Sequence, residues 1–120
     1  MIDDQLAVAI SRVLADYDVG GLSDRDAAQQ AVLASLDELV RIAPGRSVEV
    51  RIPPFGAVQA VAGGAHRRGT PRAVVETDPV TWLRLVIGHI TWAEAIASGA
   101  VHASGERSDL SQYLPFITSD

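Results

Sequence analysis

The sequence predicts an α+β fold, with a mainly antiparallel sheet and helices packed on one of its faces. Three patterns carry that prediction. Two successive stretches, opening at Asp3 and at Ser23, place apolar residues at helical spacing. From Ser47 to Thr77 the pattern changes to strand-like alternation broken by proline and glycine turns. From Val74 to Phe116 a strand end, two helix starts, a further strand and a last helix signal follow one another closely. The other stretches read as what is needed to cover and complete that unit.

Taken in order, Leu6, Ile10, Val13, Leu14 and Tyr17 share one face of a helix running from Asp3 to Tyr17. Asp3 and Asp4 stand in its first turn, where carboxylates offset the positive end of the helix dipole. Val19-Gly20-Gly21-Leu22 ends it. Ser23 is the expected N-cap of a second helix, with Asp26 three residues on. Ala28, Val32, Leu36, Leu39 and Val40 form its apolar side, and Pro44-Gly45 stops it.

Val48, Val50 and Ile52 alternate with Glu49 and Arg51, the mark of a strand with one covered face. Pro53-Pro54-Phe55-Gly56 is a turn, because proline has no amide hydrogen to give a ladder and glycine accepts positive φ. Ala57 to Ala62 is a softer strand and Arg72 to Thr77 a third. Their short connections predict an antiparallel meander. Asp78 caps the next helix, and Pro79 suits its first turn, where an amide hydrogen has no partner anyway. Trp82, Leu83, Val86, Ile87 and Ile90 give this helix a broad apolar face, and Gly88 marks its end or a close approach. Thr91 and Glu94 have the spacing of a capping box and open a brief helix that ends by Gly99. In the strand Ala100 to Ala103, alternation turns Val101 and Ala103 inward and His102 outward. A short final helix starts at Ser108 or Asp109, bears Leu110, Tyr113 and Leu114, and is cut by Pro115.

At 120 residues the chain is expected to form one domain, burying roughly 60–70% of its unfolded surface. A net charge of −5 argues against nucleic-acid binding through a basic face, and all ten basic residues are arginine. With no cysteine, disulfides, thiolate metal sites and cysteine catalysis are excluded. Met1-Ile2-Asp3-Asp4 lacks the basic-then-apolar order of a secretory signal. No apolar run reaches the ~18 residues of a membrane span. The expectation is a cytoplasmic protein without stable membrane insertion.

Catalytic and metal patterns are sparse. His66, His89 and His102 lack metal-ligand spacing and read as surface or helix-end residues, and there is no Gly-x-Ser-x-Gly elbow. Asp78, Glu94 and Asp109 each have a capping explanation, so no acid/base pair is needed to account for them. Gly63-Gly64-Ala65-His66-Arg67-Arg68-Gly69 could cradle an anionic headgroup with Arg67, Arg68 and Arg72 as donors. Its spacing fits neither a P-loop nor a dinucleotide fingerprint, and a solvated hairpin tip is the simpler account. Among six aromatic residues, Trp82 and Trp92 bracket the helix pair of the Val74–Phe116 unit. They are either core or the walls of an apolar cavity.

The ordered set Thr77-Asp78, Trp82-Leu83, Leu85, Gly88, Ala93, Ala95, Ser98-Gly99, Val101, Ser104-Gly105 and Leu110 resembles the sterol carrier protein family. Together with the strands from Val48 to Thr77 and the helix before them, the resemblance covers about residues 24 to 116. It is most similar to a small bacterial, actinobacterial branch. The resemblance implies a sterol-carrier-protein-like α+β fold with a helical crossover, forming one domain over 1–120. In it, residues 1–22 are an extra N-terminal helix and 23–120 the family-like core. It also implies a cavity between sheet and helices that binds lipids, sterols or acyl chains without covalent chemistry. Two features depart from the family pattern, namely the short final helix broken at Pro115 and the extra helix from Asp3 to Tyr17.

From the resemblance and the clustered aromatics, the expected function is non-catalytic binding or carriage of an apolar ligand, with no cofactor. The expected pocket wall is Phe55, Val58, Trp82, Val86, Trp92, Ile96 and Val101, with Arg67 or Arg68 meeting a polar head. The alternative is an interaction module with a filled core, which dimerises through the N-terminal helix or accompanies an enzyme such as a thiol-dependent isomerase.

Overall fold

The alternation at Val48, Val50 and Ile52 builds a central strand, β1 (Val48–Ile52), whose three apolar side chains are fully buried while Arg51 stays exposed. The computed structural model describes residues 4–21, 24–63, 72–105 and 108–117. Its elements in chain order are α1 (Asp4–Gly20), α2 (Arg25–Ile42), β1, β2 (Gly56–Ala60), β3 (Ala73–Thr77), α3 (Pro79–Ile87), α4 (Trp92–Ala97) and β4 (Val101–Ser104). The architecture is α+β, with a four-stranded mixed sheet ordered β2-β1-β3-β4.

The sheet corrects the expected meander. β1 pairs antiparallel with β2 and β3 antiparallel with β4, but β3 lies parallel to β1 rather than beside β2. The register explains why. Ala60 at the end of β2 and Ala73 at the start of β3 both stand opposite Val48, on its two sides. β2 therefore ends, and β3 begins, at the end where β1 itself begins, and a strand that starts at that end runs parallel to it. The inner face carries Val48, Val50, Ile52, Ala73, Val75 and Thr77, all buried; the outer face carries Glu49, Arg51, Val74, Glu76, His102 and Ser104. The buried set marks the inner face as the one the core covers.

Local signals at helix ends hold closely. Asp24, rather than Ser23, caps α2 by accepting from the Ala27 amide at 3.0 Å; Ser23 itself lies outside the described residues. Asp78 caps α3 by accepting from the Thr81 amide at 2.9 Å and from its hydroxyl at 2.7 Å, and Pro79 occupies the first turn. Gly88, at φ 81°, ends α3 in a Schellman arrangement. The Arg84 carbonyl accepts from the His89 amide at 2.8 Å and the Leu85 carbonyl from the Gly88 amide at 3.3 Å. The next orphan carbonyl, that of Val86, accepts from the amides of Phe116 and Ile117 at 3.2 and 3.1 Å.

Those two bonds come from what was expected to be a final helix. Instead, Leu110 is fully buried, residues 111–113 form a turn, and the chain then continues without helix or strand to Ile117, which is also buried. So short a stretch ahead of Pro115 cannot recover the cost of nucleating a helix. As a strap across the end of α3 it satisfies Val86 and packs Pro115 where a Cβ on Gly88 would stand 3.2 Å away.

α3 is apolar almost all round, burying Val80, Trp82, Leu83, Leu85, Val86 and Ile87, as a helix packed on several sides must. It packs against both α1 and α2. α1 spends its apolar stripe there: Leu6, Ala7, Ile10, Val13 and Leu14 are buried, leaving Val8, Tyr17 and Val19 exposed. Arg84 ties α3 to α1, with its guanidinium 2.6 Å from the Asp18 carboxylate and 5.9 Å from the centre of the Tyr17 ring.

A second seam joins α2 to the sheet. Val61, buried and β-branched, sits at φ 68°, in the left-handed region that such residues avoid. Three bonds impose it: Val61 donates to the Ala43 carbonyl at 2.7 Å and accepts from the Ser47 amide at 3.0 Å and hydroxyl at 2.6 Å. Gly45 crosses so close that a Cβ there would meet the Val61 carbonyl at 2.2 Å.

Candidate functional site

An open corner lies where α4 meets β4. Thr91 and Glu94 form the capping box that the spacing predicts. The Thr91 hydroxyl accepts from the Glu94 amide at 3.1 Å, and the Thr91 amide donates to the Glu94 carboxylate at 2.9 Å. That backbone bond holds the Glu94 carboxyl below the usual range. α4 has six residues, burying Ala95 and leaving Ile96 40% exposed. Gly99, at φ 79°, turns the chain, and the Thr77 hydroxyl donates to the Ala100 carbonyl at 2.7 Å to fix the entry into β4.

Between these parts is an open-sided groove of about 600 Å³, within the range of small-molecule sites. Ile96 and Gly99 form one side; Val74, Glu76 and all four residues of β4 form the other. Neighbouring strand residues point to opposite faces, so a groove touching all four runs along the open edge of β4. β4 ends the sheet, and every second residue turns its N–H and C=O away from β3. Ala103 stands opposite Val75 in register and was expected inward, yet it is exposed on the last strand of the sheet. Val101 is buried and His102 exposed, as alternation predicts.

A smaller hollow of about 330 Å³ lies at the exit of β2, between Val61, Ala62 and the turn that carries Tyr113. Its carboxylate, Asp109, accepts from the Ser111 amide at 2.8 Å, which keeps the group below the usual range. Among the described residues, no group of three His, Asp or Glu side chains could hold a metal ion. No helix among them is long and apolar enough to cross a membrane.

The seven residues expected to wall a pocket fall in three places. Trp82 and Val86 are fully buried in the core, with the Trp82 ring 6.4 Å from that of Phe116. The Trp82 indole donates to the Ser35 hydroxyl at 2.8 Å, and that hydroxyl donates to the Val32 carbonyl at 2.7 Å. Phe55, Val58 and Trp92 are half-buried against the core. Ile96 and Val101 meet in the α4–β4 groove. Of the expected headgroup donors, Arg72 donates to the Arg46 carbonyl at 3.0 Å, while Arg67 and Arg68 lie outside the described residues. The histidine His66 lies outside them too, and His89 is exposed just past the end of α3. Sequence reasoning missed Glu76 and Val74 as groove residues; only the β3–β4 register brings them beside His102 and Ser104.

Comparison with protein families gives a match to the model for bacterial SCP orthologs over residues 24–116. No curated protein matches the chain. The matched segment runs from the cap of α2 to the strap after Pro115, leaving α1 outside it. With that segment making up most of its length, and with the mixed sheet and helices just described, the chain belongs to the sterol-carrier-protein-like family of bacterial SCP orthologs.

Proposed function

We propose that this protein binds an apolar ligand, a lipid or acyl chain, in the groove between α4 and β4, and carries out no covalent chemistry on it. The observation that carries this reading is the groove itself: about 600 Å³ of space edged by Ile96, Val101, Val74 and Ala103, in a chain of a carrier-type family. Each methylene placed there is worth ~0.8 kcal/mol by removal from water. In this reading Ile96 and Val101 touch the ligand. Phe55, Val58, Trp82, Val86 and Trp92 hold the core against which the groove is built. Trp92 opens the helix that carries Ile96, so its fluorescence is a natural reporter.

Native mass spectrometry after incubation with a lipid extract tests the proposal, alongside quenching of tryptophan fluorescence by a nitroxide-labelled lipid. Ile96→Arg should abolish the adduct and the quenching without lowering the unfolding midpoint. A wild-type protein that shows neither adduct nor quenching would sink the reading.

A second reading has its own support. Trp82 is 0% exposed, and its one polar atom is already bonded to Ser35, so the layer around it is filled. A filled centre suits an interaction module that accompanies an enzyme or a second copy of the chain. Light scattering separates the two. A lipid-free dimer whose mass is unchanged by Ile96→Arg favours the module; a monomer that gains a lipid adduct favours the groove.

A further inference from the structure

We infer that the groove selects single-chain amphiphiles with a cationic head and disfavours free carboxylates. This rests on the reading that an apolar ligand occupies the α4–β4 groove, and it names the class of that ligand. Among the described residues, the groove has one charged wall residue, Glu76, set on the outer face of β3 opposite His102, and no arginine lines the space. The guanidinium of Arg51 lies 3.9 Å from the Glu76 carboxylate and is bound more closely by Glu49. Two carboxylates therefore share one guanidinium on this face, and the Glu76 side chain remains 46% exposed toward the groove and solvent.

The apolar and charged parts are arranged for one orientation. Ile96 and Val101 lie on the helix side, where a hydrocarbon chain loses water, and Glu76 lies on the outer face of the sheet, where a head stays hydrated. A quaternary ammonium or amine placed there adds the missing positive charge. A carboxylate placed there adds a third negative charge beside Glu49 and Glu76. The whole chain, at −5, biases encounter in the same sense. The remaining polar groups of the wall, the His102 imidazole and Ser104 hydroxyl, can accept from an amine head or donate to a carboxylate, whereas a quaternary ammonium takes no hydrogen bond and is held there by charge alone.

The test uses the full chain and dodecyltrimethylammonium, dodecanamide and dodecanoate, each below its micelle concentration, with affinities read by isothermal titration calorimetry. The expected order is cation, then amide, then carboxylate, with about tenfold between first and last at low salt. Dodecylamine and dodecylphosphocholine run beside them separate an amine source from a choline lipid, and tighter binding of either than of dodecanoate supports the preference. Glu76→Gln should remove the discrimination while leaving the amide affinity within about twofold, since the chain is buried as before. Glu49→Gln leaves Arg51 to Glu76 alone and should narrow the gap between cation and carboxylate. Dodecanoate binding as tightly as the cation, or an unchanged order in Glu76→Gln, overturns the charge preference and leaves the groove reading standing. Binding of none of the probes removes the groove reading and the preference with it.

Discussion

Trp82 and Ile96 are both large apolar residues on the helical connection from β3 to β4, and the chain treats them in opposite ways. Trp82 sits on α3, where α1, α2 and the C-terminal strap all converge, and it is sealed to the last atom. Ile96 sits on α4, a helix of six residues whose neighbour is the last strand of the sheet, and it stays 40% exposed. The difference teaches that openness here is a matter of layers, not of residue type. Where three elements meet, the centre fills; where a short helix meets an edge strand, a groove remains. A ligand taken up at the first place must displace packing, whereas one taken up at the second displaces water.

The comparison breaks most visibly under truncation. Trp82→Ala leaves a cavity in a filled layer and should cost about 3–5 kcal/mol in urea unfolding. Ile96→Ala, at a surface groove, should stay within about 1 kcal/mol. Comparable losses at the two sites would mean that α4 belongs to the same packed unit as α3.

Smaller changes sharpen the same contrast. Ser35→Ala removes the acceptor of the Trp82 indole and leaves a buried N–H unpaired, at about 1–3 kcal/mol. Ser35→Thr keeps an acceptor but adds a methyl to a fully buried site, so its loss reports packing instead. Gly88→Ala places a side chain at φ 81° and 3.2 Å from Pro115, for about 1–2 kcal/mol. Since it disturbs the strap rather than the groove, ligand affinity should be unchanged; a lost affinity would place the strap in the binding site.

How far these features could be read beforehand follows from the range of the interactions involved. Asp78 with Pro79, Thr91 with Glu94, and the alternation at Val48, Val50 and Ile52 act over a few residues, and the structure keeps all of them. The parallel seat of β3 depends on its pairing with β1 rather than with β2, which no local pattern records. The bond between Trp82 and Ser35 spans two helices far apart in sequence, so nothing local to Trp82 removed the cavity-wall reading beside the simpler reading as core. Ala103 alternates like a buried residue and stands opposite buried Val75, yet at the sheet's edge strand it is exposed. The groove was half legible. Ile96 and Val101 were named from the family resemblance, while Glu76 entered only through the register of β3 and β4.

The smallest expected effect tests whether the open corner is set by its own local device. Thr91→Ala breaks the capping box that starts α4 and should cost about 1 kcal/mol at neutral pH. The Glu94 carboxyl is held below its ordinary value by the Thr91 amide, so the charged form is favoured in the folded chain. A depressed folded value gives stability that is present above the unfolded value of about 4.3 and lost as pH falls through the folded one. Asp109 and Glu38 shift in the same direction, so the Glu94 share must be read as a difference between variants. Glu94→Gln should therefore flatten part of the acid limb of a urea-unfolding series run from about pH 6 to about pH 3. The same cap sets where Ile96 stands, one turn along α4. If it positions the groove, Thr91→Ala should also weaken amphiphile binding a few-fold while leaving Trp82 buried; if binding is untouched, Ala95 and β4 hold the corner without it.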